Sequence, residues 1–222
     1  MLNKQYTDML QEKDVIFEIF QYAAERAKVV GAENIYDFSL GNPSVPAPSI
    51  VNETIVQKVK TLDPLALHGY SPSFGILETR EKIAASLNKK YGSAYKAANI
   101  FMAIGAAGAL AHALRAVTNP GDEIITFAPC FSEYKPYTAG AGLKLTIIPA
   151  DIDTFQINFA AFEAQLNENV SAVLINSPNN PSGIVYSTET IEKLSSILTA
   201  KSKEFHHPIY LISDEPYRDI IF

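Results

Sequence analysis

Asn176-Ser177-Pro178-Asn179-Asn180-Pro181-Ser182-Gly183 follows the apolar run Ala172-Val173-Leu174-Ile175. The run reads as a short buried strand. Two prolines then deny the backbone further ladder bonds, and Gly183 frees it to turn. A strand that stops against a rigid, amide-rich turn presents side chains at its carboxyl end, where open α/β sheets bind ligands. A second apolar run, Ile209-Tyr210-Leu211-Ile212, leads in the same way into Ser213-Asp214-Glu215-Pro216-Tyr217. A carboxylate such as Asp214 is costly to bury there unless a cation or hydrogen-bond donors meet it. A third stretch, Gly105-Ala106-Ala107-Gly108, would aim free backbone N–H groups and a helix start at whatever lies in front of it, a suitable seat for phosphate. It lacks the G-x-G-x-x-G of dinucleotide folds and the Lys-Ser/Thr of a P-loop. Taken alone, a closely packed Ala/Gly helix start has the same composition.

The elements that must position these groups alternate along the chain. From residue 99 onward the pattern is strand then helix. Strands are predicted over 100–104, 123–127, 143–148 and 209–212, with the Ala172–Ile175 run between them. Helices are predicted over 109–117, 158–166 and 188–200, the last capped by Ser187. Before this region, Ile16, Ile19, Phe20, Ala23, Ala27 and Val30 fall at helical spacing, with Asp14 as a cap and Gly31 as a stop. Residues 35–40 alternate like a strand. Gly41-Asn42-Pro43-Ser44-Val45-Pro46-Ala47-Pro48 is too rich in proline for a helix and reads as a stiff extended segment. Helices are predicted again over 49–60 and 76–90.

Composition narrows the class. The 222 residues are 47% hydrophobic and 19% charged, enough apolar content for a real core. The formal net charge of −6 argues against a nucleic-acid surface. A single cysteine, Cys130, permits no intramolecular disulfide framework and fits a reducing cytoplasm. No run approaches the ~20 apolar residues of a membrane helix. His206 and His207 lack a matched metal-ligand set and are expected on the surface.

The string from Asn176 to Gly183 resembles the N-x-P-x-N-P-S/T-G signature of class I/II aminotransferases, the pyridoxal-phosphate (PLP) enzymes of fold type I. Asp214 and Tyr217 match the D-E/A-x-Y of that family. Tyr70, Gly75 and Arg80 fit its Y-x-x-x-x-G-x-x-x-x-R stretch. The resemblance implies a three-layer α/β/α fold with a mostly parallel, mixed sheet ordered 3-2-4-5-6-7-1. It implies that Ala106 and Ala107 hold the cofactor phosphate, that Phe131 stacks on the pyridine ring, and that Asp214 pairs with the protonated ring nitrogen. Asn180 and Tyr217 would hydrogen-bond the ring's phenolate oxygen. Asn180 would also lie near the substrate carboxylate, Gly41 would meet substrate through its backbone, and Tyr70 would reach the phosphate of a partner subunit in a homodimer. Tyr134 would support Asp214 from behind.

On this reading residues 1–65 contribute to a small domain and the substrate loop, and residues 66–222 form the N-terminal part of the large PLP-binding domain. The family's Schiff-base lysine follows Asp214 by some tens of residues in an S-x-S/A-K context, and no residue up to Phe222 matches it. Lys201 and Lys203 precede Asp214 and sit at a helix end. The chain therefore reads as the N-terminal part of an aminotransferase, without the C-terminal strands of the sheet. A catalytic residue is not assigned within it. A lyase or synthase of the same fold, and a non-catalytic ligand-binding module, remain open at this point.

Overall fold

The computed structural model describes residues 4–9, 15–39, 41 and 45–221. The chain divides into two compact units, Met1–Pro72 and Ser73–Phe222, and Tyr70 belongs to the first.

The N-terminal unit is helical: α1 (Lys4–Met9), α2 (Val15–Val30), α3 (Ser49–Thr61) and α4 (Pro64–His68). Gly31 ends α2 as its type foretells, at φ 90, a backbone setting that side chains resist. Asp63 caps α4 by accepting from the Leu65 and Ala66 N–H groups, with Pro64 at the first helical position. The expected cap Asp14 lies outside the described residues, as do Asn42, Pro43 and Ser44. The apolar stripe of α2 packs only in part: Ala23, Ala27 and Val30 are half-buried, whereas Ile19 and Phe20 are exposed. Residues 35–39 form no strand, contrary to their alternating pattern. The Asp37 side chain accepts from the Ser39 N–H at 2.8 Å. That local bond competes with a ladder, and the segment pairs with none of the described strands.

The C-terminal unit opens with α5 (Leu77–Tyr91) and α6 (Gly105–Val117). Then follow β1 (Glu123–Phe127), α7 (Tyr134–Gly140), β2 (Lys144–Ile148), α8 (Phe159–Gln165), β3 (Val170–Asn176), α9 (Thr188–Glu204) and β4 (Tyr210–Asp214). The four strands make one parallel sheet in the order β2-β1-β3-β4. This is the 3-2-4-5 portion of the expected order. The strand expected over 100–104 is absent: these residues carry no ladder, and α6 begins directly at Gly105. An extended segment becomes a strand only when a neighbour takes its N–H and C=O groups. In the expected order this strand stands beyond β4 with two others between them, and no described segment fills that interval.

Successive residues of a strand point to opposite faces, and here both faces are covered. Ile125, Phe127, Val173 and Ile175 pack on one side with Phe162 of α8 and Leu194 and Leu198 of α9. Ile124, Ala172 and Leu174 pack on the other with Leu110 and Leu114 of α6 and Tyr134 of α7. Helix, sheet and helix thus form three layers. This is why β1 is buried along its whole length and β3 at all but one position, rather than in alternation. The Phe127 and Phe162 rings meet edge to face at 5.4 Å between centroids. Ser187 caps α9 by accepting from the Thr190 N–H, as expected. His207, expected on the surface, is half-buried, its ring nitrogens near the Glu168 and Pro208 carbonyl oxygens.

One charge is buried at the amino end of the sheet. Glu123 is 5% exposed at the start of β1. Burial acts to raise its carboxyl pKa, but hydrogen bonds from Thr146, Asn167 and Lys144 outweigh burial, and the net shift is downward. The Lys144 Nζ lies 3.2 Å from the carboxylate.

Two outcomes follow for stability. Phe162→Ala empties a fully buried ring site and should cost about 3–5 kcal/mol, read as a lower urea midpoint with an unchanged slope. For Glu123 the folded pKa lies below its ordinary 4.5, so its contribution is complete above that value and is lost as pH falls through the folded pKa. Glu123→Gln should therefore flatten the acid side of the stability profile, and equal acid sensitivity of the two proteins would contradict the assignment.

Candidate active site

The carboxyl ends of β3 and β4 lie side by side because their parallel register runs from Ala172 opposite Tyr210 to Asn176 opposite Asp214. Each strand hands its next residues to a turn. After β3 the turn is closed by its own bonds. The Asn179 N–H donates to the Ile184 carbonyl at 2.9 Å, and the Gly183 N–H donates to the Asn179 carbonyl at 2.8 Å. The Asn179 side chain accepts from the Ser182 N–H and hydroxyl at 3.1 and 2.8 Å. Gly183 sits at φ 72, in the left-handed region that its type makes accessible. The amide-rich turn predicted from the two prolines is therefore rigid for identifiable reasons.

A chain of hydrogen bonds links the side chains at this edge. The Tyr134 hydroxyl donates to Asp214 Oδ2 at 2.8 Å. Asn176 Nδ2 donates to the Asp214 carbonyl oxygen at 2.8 Å, and its Oδ1 accepts from the Asn180 N–H at 2.6 Å. Asn180 Nδ2 reaches the Tyr217 hydroxyl at 3.4 Å. Asp214, Asn180 and Tyr217, far apart in sequence or on different turns, are thus brought to one place. Tyr134 stands behind Asp214, as expected. Burial first, and then the Asp214 hydrogen bond and charge, push the Tyr134 hydroxyl far up, so it serves as a donor.

Phe131 is half-buried in the loop after β1 and meets the Tyr134 ring edge to face at 5.8 Å. Ala106 lines a cavity of about 490 Å³ together with Ala109, Leu110, Asp214 and Pro216. No side chain caps the first turn of α6, which holds exposed Ala106 and Ala107 and starts at Gly105 with φ 66. An uncapped helix start has backbone donors to offer an anion. Gly41 and Tyr70 are exposed in the N-terminal unit, and no other described atom comes within 4 Å of where a Gly41 side chain would begin. Cys130 is half-buried, and burial pushes its thiol up against the opposing influence of Lys135, the setting of a packing residue rather than a nucleophile.

Asn176 was read from the sequence only as part of the turn. Its bond to the Asp214 carbonyl depends on the β3–β4 register, whereas its bond to the Asn180 N–H is local, four residues on.

No group of acidic, histidine or cysteine side chains among the described residues is arranged to hold a metal ion. No helix among them is long and apolar enough to cross a membrane.

The residues fit a PLP-like cofactor in the chemistry of their donor set. A carboxylate, an amide paired with a phenol, and an uncapped helix start could meet a ring nitrogen, a ring oxygen and a phosphate respectively.

Comparison with known proteins is consistent with this geometry. The family model for aminotransferase class I and II matches residues 32–222. An aspartate aminotransferase of Thermotoga maritima is 33% identical over 206 residues, covering 90% of this chain and 51% of the relative. One from Sulfurisphaera tokodaii is 30% identical over 207 residues, covering 92% and 49%. A crystal structure of an amino transferase from Eubacterium rectale superposes with a TM-score of 0.95 at 49% identity, covering all of this chain and 56% of that one. The Thermotoga maritima aspartate aminotransferase structure superposes with a TM-score of 0.82, covering 96% and 53%. The chain spans about half the length of the curated relatives it matches. On sequence and fold alike, this chain belongs to the class I and II aminotransferase family.

Proposed function

We propose that this chain works in a PLP-dependent aminotransferase that moves an amino group between an L-amino acid and a 2-oxo acid. The observation that carries the reading is the bonded set at the ends of β3 and β4, in which Asp214, Asn180 and Tyr217 converge. When bound, PLP supplies an electron sink for charge developing at the amino-acid α-carbon. Asp214 would hold a proton on the ring nitrogen, because a close opposite charge favours the charged form. Tyr134 fixes the direction of that carboxylate. Asn180 and Tyr217 would offer hydrogen bonds to the phenolate oxygen. The N–H groups of Ala106 and Ala107 at the start of α6 would receive the phosphate. Phe131 would offer the ring a flat apolar surface, which buries area at small entropic cost.

The same reading gives Gly41 and Asn180 to the substrate, and places Tyr70 on the phosphate of a partner subunit in a cytoplasmic homodimer. The names of the relatives favour aspartate as a donor.

The test is L-aspartate-dependent conversion of 2-oxoglutarate to glutamate by the protein in its full natural length. Asp214→Ala should lower turnover about a hundredfold or more while near-ultraviolet circular dichroism stays unchanged. Loss of amino acid without glutamate formation would favour a lyase or synthase of the same fold. An Asp214→Ala protein with near-normal turnover would remove Asp214 from the site.

The shared site has its own test. Tyr70→Phe should weaken cofactor retention without unfolding the chain. Mixing Tyr70→Phe subunits with Asp214→Ala subunits should restore some activity, since part of the hybrid sites would be intact. A monomeric mass together with no restoration would refute a site shared between subunits.

A further inference from the structure

Asn176 occupies the last paired position of β3, opposite Asp214, with 4% of its surface exposed. Pro178, two residues on, has no N–H with which the ladder could continue. The Asn176 side chain carries the bonding onward instead. Its Nδ2 donates to the Asp214 carbonyl at 2.8 Å and its Oδ1 accepts from the Asn180 N–H at 2.6 Å. The two ends of the amide are assigned by their partners, since a carbonyl only accepts and an N–H only donates.

We infer that Asn176 is a positioning residue for the reaction: one buried amide ties the backbone of Asp214 to that of Asn180 and so fixes the spacing of the two groups offered to the cofactor ring. This rests on the proposed function. The ring is rigid, and its nitrogen and its phenolate oxygen are a fixed distance apart. Asp214 comes from β4 and Asn180 from the turn after β3, so nothing in the local chain sets their separation. A productive site holds such groups to within about 0.5 Å. Asn176 spans both with one short side chain. Glutamine would be a methylene too long. Aspartate would turn an acceptor toward the Asp214 carbonyl, and leucine would leave both backbone groups unpaired.

Two measurements decide it: amide hydrogen exchange of the chain without cofactor, and titration of the full-length protein with PLP, including the pH profile of its visible absorbance. In Asn176→Leu the Asn180 N–H should exchange about tenfold faster or more, PLP affinity should fall about tenfold, and the absorbance profile should shift along the pH axis. The amides of Val173 and Leu174 should keep their protection. Asn176→Asp retains the acceptor for Asn180 and loses the donor to Asp214. It should keep near-native exchange at Asn180 yet still bind PLP less tightly, and it carries the test if the leucine chain does not fold. Unchanged Asn180 exchange in Asn176→Leu, or unchanged affinity and pH profile in both variants, would overturn the inference. So would a uniform loss of protection across β1, β3 and β4, which marks a structural role alone. A native protein that binds no PLP refutes the proposed function instead, and exchange at Asn180 then decides whether Asn176 fixes the turn.

Discussion

The parallel ladder between β3 and β4 is the constraint on which the rest depends. Its register places Asn176 beside Asp214 and so decides which residues leave the sheet together. The same ladder, with β1 alongside β3, sends alternate side chains into two apolar layers. Those layers resist sliding, because a shift of one residue would exchange the two faces. A buried sheet with both faces filled thus holds the two strand ends, separated in sequence by the whole of α9, in constant register, and the Asn176 side chain carries that constraint into the turn after β3. The precision of the site is inherited from packing several residues away.

How much of this was legible in the sequence depended on whether an element carries its own reasons. β1 was readable to the residue, since Glu123–Phe127 is a short stretch rich in β-branched and aromatic residues after an Asn-Pro-Gly-Asp turn. Ser187 was readable as a cap because its bond to the Thr190 N–H is local. The turn after β3 was readable because proline and glycine punctuate it. By contrast, residues 100–104 and 35–39 have strand-like composition and form none, since a strand requires a neighbour that composition does not disclose. Of the helices in the N-terminal unit, α2 and α3 were legible and α1 and α4 were not, nor was the exposure of Ile19, Phe20, Ile55 and Val59. Periodicity marks an apolar face without naming what lies against it.

The polar residues divide in the same way. Asp214, Asn180 and Tyr217 were visible through a motif, which compresses long-range geometry into a local string. Asn176 stands inside that motif, and its bond to the Asn180 N–H is local, but its bond to the Asp214 carbonyl follows from register rather than spacing. Glu123 was hidden more completely. A charged residue beginning an apolar run looks like a solvated strand end, yet here it is buried among Thr146, Asn167 and Lys144. Thr146 and Lys144 come from β2, and Asn167 from the segment between α8 and β3. Only the assembled sheet edge makes a carboxylate tolerable there.

The apolar layers also set the protonation of titratable side chains within them. Tyr134 is driven far up by burial and then by Asp214 itself, Tyr186 is pushed up to about 12 chiefly by burial, and the Cys130 thiol is pushed up by burial. All three therefore keep their protons near neutral pH. Tyr134 and Cys130 belong to the apolar layer beneath α6 and α7, and Tyr186 to the layer beneath α8 and α9. The layers that hold the strands in register thus also keep these groups neutral. A neutral tyrosine can donate to the carboxylate without changing the local charge as pH varies. A histidine in its place would titrate within the working range and couple the direction of that carboxylate to pH. None of Tyr134, Tyr186 and Cys130 therefore changes charge near neutral pH.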